Sequence, residues 1–80
     1  MTITIKLFAL GRELTGKSEL AIQLTPGDTV KQALDRLKAD YSEFARLGSY
    51  MIAVNMEYAD ETRTLADGDE VAIIPPVSGG

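Results

Sequence analysis

The chain has 80 residues, 45% of them apolar and 25% charged, with a net charge of −4 and neither cysteine nor histidine. That is the composition of one small folded domain, and its acidic balance excludes nucleic acid and anionic membranes as main partners, because both demand a basic face. The missing side chains exclude disulfides, thiolate nucleophiles, the usual zinc sites and the usual general base, which leaves the chain poorly equipped for catalysis alone.

The first stretch, TITIKLFA, alternates, with Ile3, Ile5 and Leu7 on one side and Thr2, Thr4, Lys6 and Phe8 on the other, which predicts a strand. With a single lysine and no solid apolar run, it does not read as a secretion signal. GRELTGK follows as a short polar connection bracketed by Gly11 and Gly16. ELAIQL then repeats the alternation with Leu20, Ile22 and Leu24 inward, so the pair reads as a hairpin. TPGD stops the second strand, and Thr29 with Gln32 three residues later is the signature of a capping box. The helix it opens carries Val30, Ala33, Leu34, Leu37 and Tyr41 on one face. SEFARLG adds a short turn, ended by Gly48.

YMIAVN predicts a third strand with Ile52 and Val54 inward. EYADETRTLADGD reads as a short strand and turn, bent at Asp67-Gly68-Asp69. EVAII is the final strand, with Val71 and Ile73 inward. No stretch approaches the ~20 apolar residues of a membrane span, and the expectation is a cytoplasmic protein.

The order β-β-α-β-β-β predicts an α+β fold: a ubiquitin-like β-grasp, with a mixed sheet packed on one main helix. The domain is expected over residues 1–74, followed by an extended tail over 75–80. A single sheet covered by a helix turns its other face to water, and that face is expected to be polar. Here its outward positions include Phe8, Ala72 and Ile74, with Tyr58 nearby. In a β-grasp the first and last strands are central neighbours, so Phe8 and Ile74 would form one apolar patch beside the tail's root. Scattered surface apolars are the competing reading.

The tail stiffens and slims in order. Pro75 and Pro76 hold the chain extended, Val77 offers an apolar grip, and Ser78, Gly79 and Gly80 lose bulk stepwise. Six extended residues reach at most ~20 Å, and bare glycine backbone can thread a narrow tunnel. A terminus of this kind is often mere slack. The ordered sequence of stiff root, grip and slim tip instead suits presentation of the Gly80 carboxylate to another protein's active site.

LFALGRELTG near the start, AVN in the third strand and L-x-DGDEVAIIPPVSGG at the end together resemble the small subunits of molybdopterin synthase, the ubiquitin-like sulfur carriers of molybdenum cofactor biosynthesis. The resemblance runs essentially the whole chain, and its terminal block is the specific part. It implies that a ubiquitin-activating-type adenylyltransferase uses ATP to join Gly80 to AMP, and that sulfur then replaces AMP as a thiocarboxylate. It further implies that the tail, through Pro75, Pro76, Val77, Ser78 and Gly79, enters a large synthase subunit and gives its sulfur to cyclic pyranopterin monophosphate. A heterotetramer of two small and two large subunits is the implied assembly. No stably bound cofactor and no metal are expected. Phe8, Tyr58 and Ile74 are the expected docking residues. Relatives often carry an aromatic residue where this chain has Ile74, which leaves the chemistry intact and makes the docking surface smaller.

Other readings share parts of this pattern. A thiamine-pathway carrier has the same fold and Gly-Gly ending, and a carrier for cysteine synthesis is related. A ubiquitin-like modifier would use the same activated carboxyl on lysines of target proteins, and a stand-alone binding domain would have an inert tail.

Overall fold

The computed structural model describes residues 1–76. Its elements are strand β1 (Thr2–Leu7), helix α1 (Ala9–Thr15), strand β2 (Glu19–Gln23), helix α2 (Val30–Asp40), a 3-10 segment (Ser42–Leu47), and strands β3 (Met51–Val54), β4 (Glu57–Ala59) and β5 (Glu70–Ile74). The strands make one five-stranded sheet in the order β2-β1-β5-β3-β4. β1 runs parallel to β5 with Ile5 opposite Val71, and every other pairing is antiparallel. This is the expected ubiquitin-like β-grasp, with the first and last strands side by side at the centre.

The inner face follows the alternation of the strands. Ile3, Ile5, Leu7, Val54, Val71 and Ile73 are all at most 1% exposed, and α2 lays Val30, Ala33, Leu34 and Leu37 over them. Of the expected inward residues, Leu20 and Leu24 are only half-buried, because β2 is an edge strand of the sheet. The capping box forms as expected: Thr29 N–H donates to Gln32 Oε1 at 2.7 Å. The next two helix donors are satisfied from outside, Val30 N–H by Arg63 O and Lys31 N–H by Glu61 O. The β4–β5 connection therefore closes the helix's open N-terminus.

The hairpin expectation needs correction. The polar connection between β1 and β2 is the helix α1, ended by Gly16 at φ 76° with its N–H donating to Arg12 O. Gly11 does not punctuate this segment. It is buried inside the helix, where an added Cβ would meet Leu7 Cδ2 at 3.5 Å. The short turn of SEFARLG is likewise more than a turn. Phe44 and Leu47, three apart, share one side of the 3-10 segment and are buried to 1% and 8% exposure, closing the end of the core against α1 and α2.

Candidate functional site

Strand parity also determines the outer face, and register decides which of its residues meet. One row across four strands reads Lys6, Ala72, Ala53 and Tyr58, each opposite the next. The adjacent row sets Ile74 opposite Met51, with Phe8 leaving the end of β1 beside them. Small alanines between large neighbours leave a hollow. The result is a concavity of about 350 Å³ lined by Lys6, Phe8, Ala53, Met56, Tyr58, Glu70, Ala72 and Ile74.

Phe8 is 45% exposed, Met51 50%, Tyr58 70% and Met56 93%, so these large apolar groups face water together rather than singly. The other half of the same face is polar. Lys6 Nζ lies 3.7 Å from a carboxylate oxygen of Glu19 and 3.6 Å from one of Glu70, and Gln23 Nε2 donates to Thr2 Oγ1. Exposed ion pairs of this kind contribute little stability. They do mark where the apolar half ends.

Two turns hold the rim. β3 and β4 are joined by Asn55 and Met56 alone, at φ 50° and 70°, the two-residue turn whose twist matches a hairpin. Asn55 Nδ2 donates to Asp69 Oδ1 at 2.9 Å, and Glu70 N–H donates to Asn55 Oδ1 at 3.0 Å. Asp69 Oδ2 also accepts from Ala66 N–H, and Thr2 N–H donates to Asp67 Oδ1. The AVN and DGDE motifs, fourteen residues apart from Asn55 to Asp69, are thus one hydrogen-bonded unit at the base of β5.

The groups with displaced pKa values all move away from neutrality. Asp69 is lowered by the backbone donor of Ala66 and then by Asn55, and Asp60 by the Thr62 side chain and backbone. Lys31 is raised by its hydrogen bond and attraction to Asp35, and Tyr50 by burial and then by Glu61 and Asp35. None of these four is poised to move a proton near pH 7. Among the described residues no three acidic side chains gather as a metal-binding group. A second concavity of about 480 Å³ lies beside the 3-10 segment and β4, lined by Leu34, Tyr50, Met51, Ile52, Tyr58, Asp60 and Glu61 among others.

Phe8, Tyr58 and Ile74, expected as docking residues, therefore line one hollow. Pro75, half-buried, and Pro76, exposed, lead on from Ile74. Val77, Ser78, Gly79 and Gly80, the rest of the expected tail, lie outside the described residues. Sequence reasoning missed Met51, Ala53 and Met56. The first two follow from parity, since inward Ile52 and Val54 force their neighbours outward. Met56 had no such signal, because the two-residue turn was not recognised.

A family model described as the ThiS family matches residues 5–80. The molybdopterin synthase sulfur carrier subunit of Arabidopsis thaliana is 38% identical over 79 residues, covering 98% of this chain and 82% of that one. Among solved structures, SAMP1 from Haloferax volcanii superposes with a TM-score of 0.92 at 30% identity, covering 100% of both chains. A putative molybdopterin converting factor subunit 1 from Pyrococcus furiosus superposes with a TM-score of 0.86 at 30% identity, covering 95% of this chain and 98% of that one.

Proposed function

The chain belongs to the ThiS family, and from that premise we propose that it is the sulfur carrier subunit of a molybdopterin synthase. The observation that carries this reading is the apolar hollow of Phe8, Tyr58 and Ile74 at the root of a tail ending in Gly-Gly. The names of curated relatives, all sulfur carrier subunits of that synthase, support it further.

The carrier supplies a carboxyl and a grip, and its partners supply the chemistry. A carboxylate is a poor electrophile, since an attacking group meets negative charge and would have to expel oxide. In the proposed cycle a ubiquitin-activating-type adenylyltransferase lets the Gly80 carboxylate attack the α-phosphate of ATP, releasing pyrophosphate. A sulfur nucleophile then displaces AMP from the acyl carbon, leaving a C-terminal thiocarboxylate. The tail, stiffened by Pro75 and Pro76 and slimmed at Ser78 and Gly79, enters the large subunit, with Val77 as its apolar grip. There the sulfur passes to cyclic pyranopterin monophosphate. The assembly in this reading is two small and two large subunits in the cytoplasm. No helix among the described residues is long and apolar enough to cross a membrane.

The test is deletion of Gly80. Folding, read by circular dichroism, stays unchanged because the core cluster is already complete among residues 3–73. Mass spectrometry after incubation with the adenylyltransferase, ATP and a sulfur donor finds thiocarboxylate on the full chain and none on the deletion. Normal cofactor synthesis by the deletion variant overturns the carrier reading. A second reading, a ubiquitin-like modifier, is favoured by the likeness to a small archaeal modifier protein from H. volcanii, which is 28% identical with a TM-score of 0.89. It predicts isopeptide adducts of Gly80 on lysines of other proteins in the same mass spectra. A thiamine-pathway carrier would instead make thiocarboxylate that thiazole-forming enzymes, and not the large subunit, consume.

A further inference from the structure

Among the described residues, the non-glycine positions with positive φ are Ala9 at 47°, Asn55 at 50° and Met56 at 70°. A residue with a Cβ is disfavoured in left-handed backbone, and such strain persists where the surrounding structure holds it for a use. Met56 lines the open apolar hollow, and Ala9 and Asn55 are chain neighbours of its lining residues Phe8 and Met56. Ala9 directly follows Phe8, and Asn55 with Met56 forms the turn that leads to Tyr58. Asparagine suits the first position of this turn, but the second favours glycine. Here it is Met56, and its side chain is 93% exposed.

A side chain so exposed buries almost nothing within its own domain, so no intramolecular packing offsets the strained backbone beneath it. The turn is nonetheless clamped: Asn55 N–H donates to Glu70 O, and Asn55 bonds through its side chain to Asp69 and to the Glu70 N–H. What this clamp secures is the placement of a thioether on the wall of the hollow that also holds Phe8, Tyr58 and Ile74.

We propose that Met56 is a docking residue for the large synthase subunit, with Asn55 and Asp69 positioning it. The inference rests on the sulfur-carrier reading above. The occupant is that subunit because the hollow is continuous from Met56 to Ile74, and Ile74 leads into the tail whose carboxyl the subunit must receive. Methionine, unbranched and polarizable, moulds to an irregular apolar surface.

The experiment measures two quantities on the full chain: the unfolding midpoint, and the Kd for the large subunit from the same organism by calorimetry. Met56→Gly removes strain and side chain together. Its midpoint rises by about 4 °C or more while its Kd weakens by about tenfold or more. A merely structural role would move both in the same direction. Met56→Leu, which keeps an apolar group on the strained turn, retains Kd within roughly threefold. A midpoint that falls in Met56→Gly overturns the strain argument and with it the proposal. An unchanged Kd for Met56→Gly beside a weakened Kd for Phe8→Ala overturns the role of Met56 and leaves the carrier reading standing. If the unmodified chain does not bind the large subunit, both fall.

Discussion

The two faces of the sheet are both apolar at their centre, yet only one is covered. On the inner face Ile5, Val54, Val71 and Ile73 lie under α2 at 0–1% exposure. On the outer face Phe8, Met51, Met56 and Tyr58 remain 45–93% open, Phe8 being the least exposed of the four. The backbone differs as well. The inner residues sit on regular strands, whereas positive-φ Met56 lines the outer hollow and positive-φ Ala9 and Asn55 adjoin its lining residues in the chain. Burial that the chain completes alone needs no strain. Apolar surface that is aimed outward and held by strained turns is arranged for something that arrives from outside.

This contrast predicts that damage to the two faces separates into different measurements. The largest effect belongs to the inner face. Leu34→Ala, under the sheet at 2% exposure, lowers stability by about 2–5 kcal/mol, read from urea unfolding. A loss within experimental noise would break the assignment of the helix face. On the outer face, Phe8→Ala weakens binding to the large subunit and to the adenylyltransferase by ~1–2 kcal/mol each. Its urea midpoint moves by no more than about 0.5 kcal/mol of stability. Ile74→Asp does the same by placing a charge in the hollow. If one surface serves both partners, as proposed, their binding is mutually exclusive. A stable ternary complex of carrier, adenylyltransferase and large subunit would refute the shared surface.

The smallest effect concerns the clamp between the faces. Asp69 carries a carboxyl pKa lowered by the donors of Ala66 and Asn55. A group whose folded pKa is depressed contributes stability that is present above its unfolded value near ~4 and is lost as pH falls through the folded pKa. Urea midpoints of the unmodified chain therefore decline as pH drops below about 4, and Asp69→Asn shows a shallower decline over that window. Parallel pH curves for the two proteins would show that the clamp is not what the carboxylate stabilises.

Elements with a clear apolar period were legible before any coordinates. β1, β3, β5 and α2 each repeat their apolar residues at the period of their own backbone, and the capping box at Thr29 and Gln32 starts the helix as expected. Short helical elements were not legible. α1 spans 7 residues, and its Gly11 looks like a loop marker while serving as the close contact with Leu7. About two helical turns have too few positions to declare a period, and helices that short draw their stability from packing. Phe44 and Leu47 were passed over for the same reason.

The candidate site divides along the same line. Parity within one strand is a covalent property, so the sequence alone determined that Phe8, Ala72 and Ile74 face outward, and that the tail leaves from the end of the last strand. It also determined, by residue type, that the chain lacks the usual nucleophiles and bases. Which outward residues meet is a property of register between strands. Hydrogen bonds between segments as distant as β1 and β5 decide it. Only the tertiary structure therefore placed Ala53 beside Ala72, drew Tyr58 and Met56 onto the same hollow, and joined Asn55 to Asp69.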